Sequence, residues 1–80
     1  MHYVYIVKCA DGTYYTGYTN NLKRRIKQHN EGEGAKYTKG RRPVKLVHSE
    51  QFETQSKAMQ REYEIKQFKK ARKIEIINQD

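Results

Sequence analysis

The chain opens on a run of β-branched and aromatic residues, His2 to Cys9, which predicts a strand. Ala10-Asp11-Gly12 reads as a turn. Thr13 to Tyr18 is a second strand, close enough to the first to make an antiparallel hairpin. Asn20 or Asn21 offers an N-cap for a helix from Leu22 to His29, and Gly32 ends that segment nearby. Gly32 to Pro43 holds three glycines and the only proline, and it reads as an irregular stretch too polar for the core. Val44 to Phe52 predicts a third strand. Thr54 or Ser56 can cap a helix reaching about Lys69, and Ile74, Ile76 and Ile77 place a short last helix over the core. The order ββαβα(α) predicts an α+β domain, a three-stranded, mainly antiparallel sheet flanked by helices.

Two turn lengths are open to the hairpin. A two-residue Asp11-Gly12 loop would set Tyr5 opposite Tyr18 and put Tyr5 and Tyr15 on opposite faces, since side chains alternate with period 2. A three-residue loop pairs Cys9 with Thr13, Val7 with Tyr15 and Tyr5 with Gly17. It gives Gly12 the left-handed position of a bulge, and it brings Tyr5, Tyr15 and Gly17 to one face.

The helices carry polar residues where apolar ones are expected. Leu22, Arg25, Ile26 and His29 follow the i, i+3, i+4, i+7 spacing of one buried face. A guanidinium there needs an anion, from the protein or from a ligand phosphate, unless it lies at the stripe's edge and reaches water. In the later helix, Ala58, Met59, Ile65 and Phe68 span an apolar arc that includes Glu62. A carboxylate on such an arc is costly unless paired, protonated or metal-bound. The plainer reading is an i,i+4 pair with Lys66. Glu62 and Arg25 could converge on the same side of the sheet.

Composition narrows the class. Eighty residues make one domain, residues 1–80, with a modest core. A net charge of +8 points to a polyanion, most often nucleic acid. Lysines and arginines cluster at Lys23-Arg24-Arg25, Lys36 to Lys45 and Lys66 to Lys73, and seven of the nine aromatics are tyrosine. With a mean hydropathy of −1.17, no run can cross a bilayer, and no helix has the apolar face that binding at a membrane surface needs. A single cysteine, Cys9, excludes an internal disulfide framework and a Cys-rich zinc site. With no basic lead before Tyr3-Val4-Tyr5-Ile6-Val7, a signal peptide is not expected, and the expectation is a reduced, cytoplasmic domain.

Taken in order, Tyr3-Val4-Tyr5, Tyr15-Thr16-Gly17, Leu22-x-x-Arg25-x-x-x-His29 and Glu62 resemble the GIY-YIG nuclease superfamily. Tyr15 to Thr19, Arg24 to Asn30 and Gly34 to Pro43 are similar to its small stand-alone bacterial YhbQ-like branch, and to the nuclease subunit of structure-selective resolvases. The resemblance covers almost the whole chain. Tyr3 stands where the name motif has its first glycine. Tyr18 stands where excision-repair members carry a lysine.

The resemblance implies a metal-dependent endonuclease acting on DNA, with one Mg²⁺ (or Mn²⁺) held by Glu62. It also implies a catalytic set of Tyr5, Tyr15, Arg25, His29 and Glu62. A single hard carboxylate suits Mg²⁺, which takes its other ligands from water and substrate phosphate. Arg25 can clamp a phosphate oxygen. Tyr15 is the preferred proton acceptor, with Tyr5 or His29 orienting water; the residues leave open which is the base and whether Tyr15 attacks covalently. Gly17, Lys23, Arg24, Lys36, Lys39, Arg41 and Arg42 are the expected nucleic-acid contacts. The oligomeric state stays open between monomer and weak dimer, and a non-catalytic nucleic-acid-binding module is the alternative. DNA repair or recombination is the expected setting.

Overall fold

A computed structural model describes residues 1–79. Strand β1 is His2–Lys8, β2 is Tyr14–Thr19 and β3 is Lys45–Phe52, in the spatial order β2-β1-β3 with both pairings antiparallel. Helix α1 is Leu22–Asn30, α2 is Lys36–Lys39, α3 is Gln55–Lys66 and α4 is Lys70–Asn78. The expected α+β architecture is therefore present.

The hairpin uses the three-residue loop. Tyr5 pairs with Gly17 and Val7 with Tyr15, and the Cys9 amide donates to the Thr13 carbonyl at 2.8 Å. Gly12 takes φ +85°, a conformation that costs an L side chain about 1 kcal/mol or more. That register sends Tyr5 and Val7 to one face of β1, and Val4 and Ile6 to the other.

Each face builds its own core. Val4 and Ile6 pack with Ala58 and Ile65 of α3 and Ile76 of α4, all buried. Tyr5 and Val7 pack with Cys9 and Val44, and Leu22 and Ile26 of α1 close over them. Burying each such aliphatic side chain is worth about 1.5–3 kcal/mol before ordering entropy is subtracted. The apolar residues of α1 and α3 consequently pack on opposite faces of the sheet, while Arg25 and Glu62 both act on the charge state of Tyr5. The apolar arc of α3 is narrower than the sequence implies, since Met59 is exposed. An ion pair from Arg61 Nε to Glu50 Oε1, 2.9 Å, ties α3 to β3.

The caps resolve the sequence alternatives. Asn21 accepts from the Arg24 amide at 3.0 Å and starts α1; Thr54 accepts from the Lys57 amide at 3.2 Å and starts α3. Helix α3 ends at Lys66 rather than Lys69, and the chain turns there into α4. A further difference lies in the stretch from Gly32 to Pro43. It contains α2, and Thr38 within it is fully buried. Its burial is polar, satisfied by hydrogen bonds, so no apolar periodicity announced it. On β2, the buried Thr16 hydroxyl is the reverse case, with no hydrogen-bond partner among the described residues.

Candidate active site

The face of β1 that carries Tyr5 holds a continuous hydrogen-bonded chain. Arg25 Nε donates to the Tyr5 hydroxyl at 3.3 Å. The Tyr5 hydroxyl lies 2.7 Å from His29 Nε2, and His29 Nδ1 lies 2.8 Å from Thr38 Oγ1. Thr38 Oγ1 in turn donates to the Ala35 carbonyl at 3.1 Å. Tyr5, His29 and Thr38 are fully buried, and Arg25 is half-buried at the outer end. The helical spacing of Leu22, Arg25, Ile26 and His29 is what aims both polar side chains at β1.

Tyr15 joins this chain through its ring. It meets His29 edge-on, with centroids 5.5 Å apart, and stacks on Tyr37 at 5.8 Å. The Arg41 guanidinium caps the column, 4.1 Å from the Tyr37 centroid. Tyr15 is half-buried, unlike Tyr5, and so keeps a side toward solvent.

The electrostatics separate the roles. Burial raises the Tyr5 pKa above its ordinary value, and the Arg25 hydrogen bond and charge only partly oppose this; Tyr15 and Glu62 push in the same direction as burial. Burial, with Arg25 beside it, lowers the His29 pKa. A neutral imidazole and a neutral phenol are therefore the resting forms. His29 has both ring nitrogens engaged and no solvent exposure, so it reaches a bound molecule only through Tyr5.

Glu62 sits on α3 with its side chain 15% exposed, paired with Lys66 Nζ at 3.4 Å. Its influence on Tyr5 places it within electrostatic range of the hydroxyl, although α3 covers the other face. Among the described residues no three His, Cys, Asp or Glu side chains cluster as a metal cage. One carboxylate fits an ion of the Mg²⁺ kind, which keeps waters and borrows phosphate oxygens, and does not fit a structural zinc site.

The expected nucleic-acid contacts divide. Lys23, Arg24, Lys36 and Lys39 are exposed. Arg24 and Arg25 border an open cleft of about 500 Å³ that Tyr18, Asn20 and Gln28 help to line. Gly17, Arg41 and Arg42 also make contacts within the protein, and Arg42 remains exposed. Gly17 is buried under the Tyr5 ring. Arg41 donates to Asp11 Oδ2 at 3.0 Å and to the Tyr37 carbonyl at 2.7 Å, pinning the α2 segment to the hairpin turn. Arg42 donates to the Lys39 carbonyl at 2.8 Å. Sequence reasoning missed Thr38, Tyr37 and Gly34, which hold His29 and Tyr15. Their only signal was the resemblance of the Gly34 to Pro43 segment.

A family model described as the GIY-YIG catalytic domain matches residues 1–75. The chain belongs to the GIY-YIG family. This is an endonuclease superfamily, and a nuclease is the activity class it indicates. Two similar proteins, UPF0213 proteins of Halobacterium salinarum and Staphylococcus saprophyticus, are 59% and 56% identical over 73 and 78 residues. Those spans take in 91% and 98% of this chain and 95% of each relative. A solution NMR structure of a UPF0213 protein from Bacillus halodurans superposes with a TM-score of 0.65 at 47% identity, covering 99% of this chain and 84% of that one. A second, of a protein from E. faecalis, also gives 0.65, at 40% identity over 98% and 83%. Tyr5, Tyr15 and Arg25 lie on one face of a fold shared with these small proteins. No helix among the described residues is long and apolar enough to cross a membrane.

Proposed function

We propose that this GIY-YIG protein is a divalent-metal-dependent endonuclease that hydrolyses DNA phosphodiester bonds, in the setting of repair or recombination. The observation that carries the reading is the Arg25–Tyr5–His29 chain, which ends outward in a half-buried guanidinium and has the half-buried Tyr15 ring against His29. Arg25 receives a non-bridging phosphate oxygen on the nitrogens it does not spend on Tyr5. Tyr5 holds Arg25 in place and orients water by accepting from it. Tyr15, closer to solvent, is the residue that takes the proton from the attacking water. His29 acts by positioning Tyr5. Glu62 is the residue that would hold the Mg²⁺ or Mn²⁺ ion. When bound, such an ion stabilises charge on the phosphoryl group and the leaving oxygen.

The test is cleavage of a panel of branched, flapped, nicked and single-stranded DNAs with Mg²⁺ or Mn²⁺. Cleavage of at least one, reduced about 10²-fold or more in Tyr15→Phe, supports the reading. No cleavage of any, with DNA still bound, overturns it. One observation favours the second reading, a non-catalytic nucleic-acid-binding module on the same fold: the Glu62–Lys66 pair gives the carboxylate a partner without any metal.

A further inference from the structure

We infer that Thr38 is a positioning residue: its hydroxyl fixes the tautomer of His29, and through it the direction in which the Tyr5 hydroxyl faces the site. What is positioned rests on the nuclease reading, whereas the tautomer itself does not.

The argument is a count of protons. A threonine hydroxyl has one proton, and a carbonyl oxygen can only accept. Thr38 Oγ1 lies 3.1 Å from the Ala35 carbonyl, so its proton is spent there. Toward His29 Nδ1, 2.8 Å away, it offers a lone pair, and Nδ1 must carry the imidazole proton. In the neutral ring Nε2 is then bare, and the Tyr5 hydroxyl donates to it across 2.7 Å. With its proton turned inward, the Tyr5 oxygen presents only lone pairs to the site. One of these takes the Arg25 Nε–H at 3.3 Å, and the other can orient a water. All the donors run one way, from Arg25 to Ala35, and each polarises the next.

Reversing the tautomer would reverse Tyr5. An Nε2–H would take one lone pair of the phenol oxygen from within, and Arg25 would keep the other. The phenol proton would turn outward to the position where a water would be oriented. Thr38 disfavours that state, because giving its one proton to Nδ1 would break its bond to the Ala35 carbonyl. Gly34 completes the enclosure: a Cβ there would lie 2.3 Å from Nδ1, so the loop backbone packs directly on the ring. The segment that the sequence assigned to phosphate contacts therefore also sets the orientation of a buried catalytic hydrogen bond.

The experiment uses the full, metal-free chain with ¹⁵N-labelled histidine and long-range ¹H–¹⁵N correlation at neutral pH. His29 is distinguished from His2 and His48 by its absence in His29→Gln. The expected pattern has Nδ1 protonated and Nε2 bare. The opposite tautomer, or an imidazolium, overturns the inference. In Thr38→Val, and in Thr38→Ala should the valine variant not fold, the signal should move toward Nε2–H. Turnover should fall by about 10- to 100-fold, the range known for partners that orient a metal-ligating imidazole, with KM unchanged. Thr38→Ser should restore both. A folded Thr38 variant with lower stability and an unchanged tautomer would show a packing role alone and overturn the inference. A protein that cuts no DNA yet shows the tautomer and its disappearance in Thr38→Val counts against the nuclease reading and for this one.

Discussion

A Cβ built on Gly17 would lie 2.4 Å from the Tyr5 hydroxyl oxygen and 2.6 Å from the ring carbon that bears it. The two residues are cross-strand partners, so the missing side chain is the space that the phenol occupies. Gly17 is a seat for Tyr5, and its role is to let the ring lie flat on β2 and reach both Arg25 and His29. A methyl there has nowhere to go, because the atoms it meets belong to a fully buried side chain held at its tip.

Gly17→Ala should therefore do more than a typical strand substitution. Overpacking costs about 1–3 kcal/mol, and here the relief is a displaced Tyr5 hydroxyl. The urea midpoint should fall, and turnover should fall with it even at temperatures where the variant is folded. Unchanged turnover in the folded variant would mean that the position of Tyr5 is not critical.

The hairpin shows how far such a site is legible in a chain. Turn chemistry at Gly12 and the period-2 alternation are local, and together they set the face shared by Tyr5, Tyr15 and Gly17. The spacing of α1 likewise marked Arg25 and His29 as polar residues facing inward. Which groups they meet is a contact across 20 and 24 residues, and no local pattern carries it. Helix α2 was invisible for another reason. Lys36-Tyr37-Thr38-Lys39 has no apolar stripe, and Thr38 is buried by its hydrogen bonds. The side taken by Glu62 could not be read either, since choosing a face for α3 depends on how Ala58 and Ile65 match Val4 and Ile6.

The basic residues should separate into two groups on DNA. Lys23, Lys36 and Lys39 are exposed, and deleting one phosphate-binding cation should lower the steepness of log K against log salt by about one. Alanine at these positions should weaken binding to all DNA sequences alike. Arg41→Ala breaks the link to Asp11, the Tyr37 carbonyl and the Tyr37 ring. It should cost about 1 kcal/mol of stability and disturb Tyr15, with a smaller change in salt slope. If Arg41→Ala flattens the slope as much as Lys36→Ala does and leaves the urea midpoint alone, this division is wrong.

Acid should weaken the fold in two windows. The His29 pKa is lowered from 6.5 by burial and by Arg25, so the unfolded chain takes up a proton that the folded one refuses. The neutral ring's contribution is whole above 6.5 and is lost as pH falls toward the folded value. Glu50 acts lower down. Burial works to raise its pKa, but hydrogen bonds from Arg61 and His48 outweigh burial and bring it below 4.5. Its contribution is present above 4.5 and lost as pH falls through the folded value. Urea midpoints should decline from neutral pH downward, with the upper part of the decline removed in His29→Gln and the lower part reduced in Glu50→Gln. A midpoint level from neutrality to the carboxylate range would rule out the buried neutral imidazole.

Glu62→Gln separates an enzyme from a binding module. The amide keeps the volume and hydrogen-bonding capacity of the carboxylate but removes the anion that Mg²⁺ requires. In an enzyme, cleavage should fall to background, while metal-free DNA affinity holds or rises because a negative charge near phosphate has gone. Stability should move little. Among the described residues the ion-pair partner at stake is Lys66, at 3.4 Å with about half its side chain in water, and such pairs are worth a few tenths of a kcal/mol. The amide is also cheaper to desolvate at a site only 15% exposed. Isothermal titration of Mn²⁺ into the protein–DNA complex gives a second measure, since the ion should bind the wild type and not the variant. Equal Mn²⁺ binding by both would move the metal away from Glu62 and leave the carboxylate as a partner of Lys66.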